Sequence, residues 1–347
     1  MDLLADYGLF LLQTVTIVLA VIAVIAVSSK ISRGGDGPKG AIKITDLSKT
    51  LADQSKYVKT AVDDALAQEK LSLIDRIKKR LSKPSQKPTE TPLKKEKIAI
   101  VIEFKGDMKA SQVANLREEV TAILAMERKP DQIVIKLTSA GGLVHTYGLA
   151  SSQLSRLREA QIPVNACVDT VAASGGYMMA VCAERIIAAP FAVLGSIGVV
   201  AQIPNIHRFL KNRDVDVELH TAGANKRTLT ILGENTPEGR RKFKEDLEQT
   251  HLLFKAWIVK QRPNLNLDVV ADGSIFYGTD ALTKGLCDEI ATSDDVLLEL
   301  SADHQLFALK WIEKKSLAAR LSRDASGAIV DQVDHYINRS NQDYTRL

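Results

Sequence analysis

From Ile98 onward, short apolar runs alternate with longer segments of helical spacing, and that alternation decides the class of fold. Ile98 to Phe104, Ile133 to Thr138 and Val164 to Val168 read as strands. The stretches near Ser111 to Glu127 and Tyr147 to Ala160, between them, read as helices. Strands separated by helices cannot close as tight hairpins, so an α/β domain with largely parallel strands is expected. Arg185 to Ala189, Ala192 to Ala201 and Val215 to Thr221 add further strand-like runs before a long helix from about Pro237 to Gln261. Ile186 to Ile203 is nearly all apolar, but Pro190, Gly195 and Gly198 interrupt it, which favours buried strands and turns over a membrane span.

Ahead of this domain, Tyr7 to Ser28 is apolar apart from Gly8, Gln13 and two threonines, long enough to span a bilayer. Asp2 and Asp6 precede it where a cleaved signal peptide would carry basic residues, so residues 1–30 are expected to be an uncleaved transmembrane anchor. Lys30, Arg33, Lys39 and Lys43 follow the span and no Lys or Arg precedes it. The charge rule taken alone therefore puts the bulk of the chain in the cytoplasm.

Residues 31–97 hold 16 Lys/Arg against 9 Asp/Glu and concentrate the positive charge of a chain whose net charge is only +4. Leu51, Val58, Val62, Leu66, Leu71, Ile74, Ile77 and Leu81 recur at helical spacing, predicting a long amphipathic helix from about Thr45 to Leu81. Its basic end, Arg76 to Arg80, reads either as a contact for anionic lipid or as a solvated helix face. Pro84, Pro88 and Pro92 among lysines mark a linker. The main domain is expected over 98–302, with a tail over 303–347 to which no chemistry is assigned. Nothing in this charge distribution points to nucleic acid. Cys167, Cys182 and Cys287 are odd in number, lack metal spacing and sit in apolar contexts, so buried thiols are expected.

Within the domain, Val171-Ala172-Ala173-Ser174-Gly175-Gly176-Tyr177 places a hydroxyl between residues small enough for a peptide backbone to approach. Two readings stand at this point: a nucleophile at a tight strand-to-helix passage, with helix-start N–H groups free for an oxyanion, or a Gly-rich helix start packed on a neighbour. A second glycine pair, in Leu137-Thr138-Ser139-Ala140-Gly141-Gly142, lies about one strand–helix–strand unit earlier. In a parallel sheet both loops fall at the carboxyl ends of strands, where ligands bind. Neither a Gly-x-x-x-x-Gly-Lys-Ser/Thr nor a Gly-x-Gly-x-x-Gly run is present, which argues against nucleotide binding.

A nucleophilic serine needs a base. His207, His251, His304 and His335 lie in helical or tail contexts without a companion carboxylate pattern, while His145, just past the first glycine pair, and His220 remain open. Lys226 is the other candidate, in Thr221-Ala222-Gly223-Ala224-Asn225-Lys226-Arg227-Thr228. To act at neutral pH its amine must lose about 3 pKa units, roughly 4 kcal/mol, which burial away from carboxylates supplies. No acidic residue occurs from Thr221 to Leu232, and Arg227 adds a like charge.

Taken together, Val171 to Tyr177, the upstream Gly-Gly loop, Leu194-Gly195-Ser196-Ile197-Gly198-Val199, a Gly-x-x-Lys-Arg at Gly223 to Arg227, and Phe276-Tyr277-Gly278, Ala281, Gly285-Leu286 and Asp288 resemble the signal peptide peptidase A family of membrane-anchored serine peptidases. The resemblance covers the chain to about residue 300. It implies a ClpP/crotonase-like fold with repeated strand–strand–helix units. It also implies a serine endopeptidase with Ser174 as nucleophile, Lys226 as general base and Ser196 orienting the lysine amine. The oxyanion amides would be those of Gly141 and of Gly175 or Ser174 itself. The family pattern often has proline where this chain has Ala140. No metal or cofactor is required, a peptide or protein is the substrate, and a ring-shaped homo-oligomer at the bacterial inner membrane is implied. The family places the catalytic domain in the periplasm, against the charge rule. A crotonase-type thioester enzyme and a non-catalytic membrane scaffold are the readings from other classes.

Overall fold

The computed structural model describes residues 15–16, 40–70, 95–223 and 225–313. The chain divides into two compact units, Ile42–Trp311 and Met1–Ala41 with Ile312–Leu347. Nearly all of the expected anchor, the basic cluster Arg76 to Arg80, the linker prolines and the tail past residue 313 lie outside the described residues. Among those described, no helix is long and apolar enough to cross a membrane.

The fold is mixed α/β. Strand β1 (Gly40–Asp46) leads into helix α1 (Leu47–Lys70), and β2 (Lys97–Gly106), α2 (Val113–Ala125), β3 (Gln132–Ser139), α3 (Val144–Glu159) and β4 (Val164–Val168) follow in strict alternation. Then come β5 (Val171–Ala173), α4 (Gly175–Ala180), β6 (Arg185–Ala188) and β7 (Val193–Gly195). After α5 (His207–Lys211) and the long α6 (Pro237–Gln261), the chain closes with α7 (Leu267–Val270), β8 (Ile275–Tyr277), α8 (Gly278–Thr283), β9 (Glu289–Ile290), α9 (Ser293–Leu300) and β10 (His304–Glu313). The sheet order is β1-β10-β2-β3-β4-β6-β9, with β5 branching from β3 to β7 and β7 pairing β8. Every registered pair is parallel except β7 with β8.

Because successive strand residues face opposite sides, the central strands read as continuous apolar runs that feed two cores. Ile100, Ile102, Phe104, Ile133, Ile135 and Leu137 face the larger core, which α2 and α3 cover with Leu116, Val120, Leu154 and Leu157. Val101, Val134, Cys167 and Ile187 face the other side, under Val296 of α9 and Leu47 at the start of α1. The three cysteines are free and buried, as expected.

The sheet extends past the expected limits of 98 and 302. β1 adds an edge strand inside the segment read as helix and linker, and β10 inserts between β1 and β2. Asp46 Oδ1 accepts the Lys49 N–H at 2.9 Å and so starts α1, while Ser48 Oγ accepts the Leu306 N–H of β10 at 2.8 Å. Beyond that anchorage Ala52 to Leu66 of the amphipathic helix are all exposed. Val215 to Thr221, which reads as a strand, is exposed and irregular, and of Ala192 to Ala201 only Val193–Gly195 is a strand.

Candidate active site

The register of three short pairings assembles the site. Ser139 of β3 lies opposite Ala172 of β5, and Ala173 of β5 lies opposite Gly195 of β7. Carried just past the strand ends, that register sets Gly141, Ser174 and Ser196 in one row at the carboxyl edge, neighbouring strands standing about 4.8 Å apart. A Cβ on Gly141 would come within 2.7 Å of both Ser174 Cβ and the Gly175 nitrogen. The two glycine loops therefore do face each other.

Ser174 sits at φ 50°, ψ −119°, immediately before α4. A non-glycine residue in such a region costs of order 1–3 kcal/mol and persists only where its surroundings hold it. Here its N–H donates to Gly195 O at 2.8 Å and its carbonyl accepts from Met178 N at 2.9 Å. Since its own amide is committed, Gly175 is the neighbour left to serve an oxyanion. Ser196 is strained in the same way, at φ 50°. Its N–H donates to Ser274 O at 2.7 Å, and its carbonyl accepts from Gly198 N at 2.9 Å. Both serines are half-buried.

The glycines are explained by packing. A Cβ on Gly175 would lie 2.4 Å from Tyr147 Cγ, and one on Gly176 would lie 2.4 Å from the Ser139 carbonyl oxygen. Gly141 stands at φ 90°, a conformation that suits glycine. The glycines of the run are thus dictated by close neighbours, while packing gives no reason for the strained serine between the strand and α4.

Ser174 and Gly175 line a small recess together with Gly142 and Gly198, and Val144, Met178, Val199 and Phe254 make its walls apolar. Gly142, not Gly141, is the upstream glycine on this surface. The Gly141 N–H donates to Ser139 Oγ at 3.0 Å.

None of the candidate bases lines the recess. Lys226 is exposed in the loop after residue 221, its backbone N–H donating to Gly223 O at 3.1 Å, and it does not line the recess. His145 is exposed on the first turn of α3, and the exposed His220 pairs with Glu218 at 3.0 Å. Neither lines the recess. His251, set aside in the sequence, is the histidine tied to the site: its Nε2 lies 3.1 Å from the carbonyl oxygen of Ile197, beside Ser196. Thr250 and Phe254, its neighbours on α6, line the recess. Burial pushes the thiols of Cys167 and Cys182 up to about 12 and that of Cys287 up to about 11, so none supplies a thiolate nucleophile near neutral pH. Among the described residues no cluster of His, Cys, Asp or Glu is placed to hold a metal ion.

Two family models match the chain: "Peptidase family S49 N-terminal" over residues 2–154 and "Peptidase family S49" over residues 156–306. The "Probable protease SohB" of Haemophilus influenzae is 42% identical over 99% of this chain and 99% of its own length. A protein of the same description from Buchnera aphidicola is 43% identical over 86% of this chain and 99% of its own. Among solved structures, the 1510-N membrane-bound stomatin-specific protease with a substrate peptide aligns with 65% of this chain and 95% of its own at 15% identity. Its TM-score is 0.36, too low to bear on the site.

Proposed function

The chain belongs to peptidase family S49, and from that membership we propose that it is a serine endopeptidase of ClpP/crotonase-like fold, with Ser174 as nucleophile and Lys226 as general base. The observation that carries the proposal is the strained Ser174, wedged between Gly141 and the β7 end in a recess at the carboxyl edge of the sheet. Full-length likeness to proteins described as probable proteases supports the reaction class.

In this reading Lys226 takes the Ser174 hydroxyl proton as the oxygen attacks the scissile carbonyl. The amides of Gly175 and Gly142 receive the oxyanion in place of the expected Gly141 amide, which is held by Ser139, each such donor being worth about 10²- to 10³-fold in rate. The tetrahedral adduct collapses, the lysine ammonium gives its proton to the leaving amine, and water hydrolyses the acyl-enzyme by the same route. Ser196, one strand over, orients the lysine amine. The apolar recess walls favour apolar side chains beside the scissile bond, consistent with membrane-associated or signal-type peptides. Residues 7–28 tether the enzyme to the membrane, and reporter fusions after residue 97 decide on which side the domain lies.

Lys226 performs this role only if its exposed loop comes over the recess, in its own chain or from a second copy. Ser174→Ala and Lys226→Ala should each lower turnover of a fluorogenic apolar peptide by roughly 10⁴- to 10⁶-fold, and a fluorophosphonate should label the parent at Ser174. Full activity in Lys226→Ala would remove the lysine from the mechanism. Failure of the fluorophosphonate to label Ser174 would revive the thioester reading, biological activity retained in Ser174→Ala without cleavage the scaffold reading, and cleavage by Ser174→Ala would remove Ser174 as nucleophile.

A further inference from the structure

We propose that Tyr147 and Ser139 form a positioning pair that fixes the Gly141–Gly142 loop relative to the Gly175 amide, and that the pair acts on turnover rather than on substrate binding. The inference rests on the serine-peptidase reading above.

The hydroxyls form one directed chain. Tyr147 has a single hydroxyl proton and donates it to Asp107 O at 2.7 Å. Ser139 Oγ stands 2.5 Å from Tyr147 Oη, so its proton goes to the phenolic oxygen and its lone pairs stay free. One of them accepts the Gly141 N–H at 3.0 Å. Both side chains are buried, Tyr147 at 0% and Ser139 at 1% exposure, where such a chain is stronger than in water.

The same tyrosine bears on the other half of the site. Its ring occupies the space a Cβ on Gly175 would need, 2.4 Å from Tyr147 Cγ, while the Ser139 backbone fills that beside Gly176. The hydroxyl thus holds the upstream loop through Ser139, and the ring backs the turn that carries Ser174. Filling the core would require only the ring, and phenylalanine supplies it. The hydroxyl is accounted for by the chain to Gly141. Oxyanion donors must meet the developing charge within a few tenths of an ångström, and a shift of about 1 Å from a residue remote from the chemistry costs about 10²-fold.

The test uses the full-length, detergent-solubilised protein as parent, Tyr147→Phe, Ser139→Ala and the double variant. Tyr147→Phe keeps the ring. Ser139→Ala leaves the Tyr147 proton bonded to Asp107 and guards against loss of the first variant to misfolding. Turnover is expressed per Ser174 labelled by fluorophosphonate, which removes any change in the folded fraction. Each single variant should lower kcat about 10- to 100-fold with KM within about twofold, and weaken a peptide aldehyde, whose adduct carries an oxyanion, by the same factor. The double variant should match the worse single one, because both act through one chain. Normal labelling with kcat per labelled serine within twofold of the parent, or additive losses in the double variant, would overturn the pair while leaving the peptidase reading intact. A parent that is not labelled at Ser174 would overturn both.

Discussion

Ser174 combines a Cβ with φ 50° and ψ −119°, a conformation glycine adopts without strain. Alanine keeps the Cβ and the strain, glycine removes both, and neither keeps the hydroxyl. Ser174→Ala should therefore unfold in urea at nearly the parent midpoint. Ser174→Gly should gain about 1 kcal/mol, the relief of strain exceeding the added entropy of the unfolded chain. A glycine variant less stable than the alanine variant would show that no strain is stored there. The run around residue 174 was legible in the sequence because small residues in series are conspicuous. The causes of their smallness were not, since Tyr147 and the Ser139 carbonyl lie 28 and 37 positions earlier than Gly175 and Gly176 respectively. His251 is set aside in the sequence for a related reason: a lone histidine on a helix has no sequence signal until the helix is known to pass Ile197.

Among the elements, β2, β3, β4 and the helices between them follow the sequence reading closely, and α6 has the expected bounds, Pro237–Gln261. Periodicity works there because each element has one partner face set by its own apolar pattern. β1 and β10 escaped because their strand character depends on each other and on β2, which is distant in sequence. That corner also holds a buried carboxyl. Glu119 of α2 accepts the Trp311 N–H at 2.7 Å, and burial holds its pKa above the ordinary carboxylate range. A carboxyl whose pKa is raised by folding penalises the folded state once it ionises. The penalty is absent well below the unfolded value of 4.5, grows as pH rises from there through the folded value, and is constant above it. Glu119→Gln keeps an acceptor for Trp311 and cannot ionise. It should match the parent in urea denaturation near pH 4 and be the more stable protein at pH 7. A stability difference that does not change between these pH values would mean that Glu119 ionises without cost.

At the scale of the whole molecule, the segment from Val200 to Asn235 carries the proposed base. Among its described residues the one regular element is the short α5, and it carries exposed apolar side chains, Val200 at 92%, Phe209 at 55% and Leu219 at 52% exposure. Val215, Val217 and Leu219 satisfy the alternation of a half-buried strand, which is why the sequence reads as one. Among the described residues no strand pairs with them. Exposed apolar side chains of this kind suit a contact with another surface, and in the homo-oligomer that the family resemblance implies a neighbouring copy would make it. Lys226 lies in this segment, so packing the segment also buries the amine, the condition it must meet to lose its proton. The two ways of supplying the base differ in one measurable respect. Ser174→Ala carries an intact lysine and Lys226→Ala an intact serine. Mixed within one oligomer, they regain activity only if the lysine crosses between copies. For random dimeric pairing at equal amounts, recovery should approach about one quarter of parent turnover, because half the oligomers are mixed and each has one complete site. Mixed oligomers as inactive as either parent variant would place serine and lysine in the same chain, with the segment folding back over its own recess.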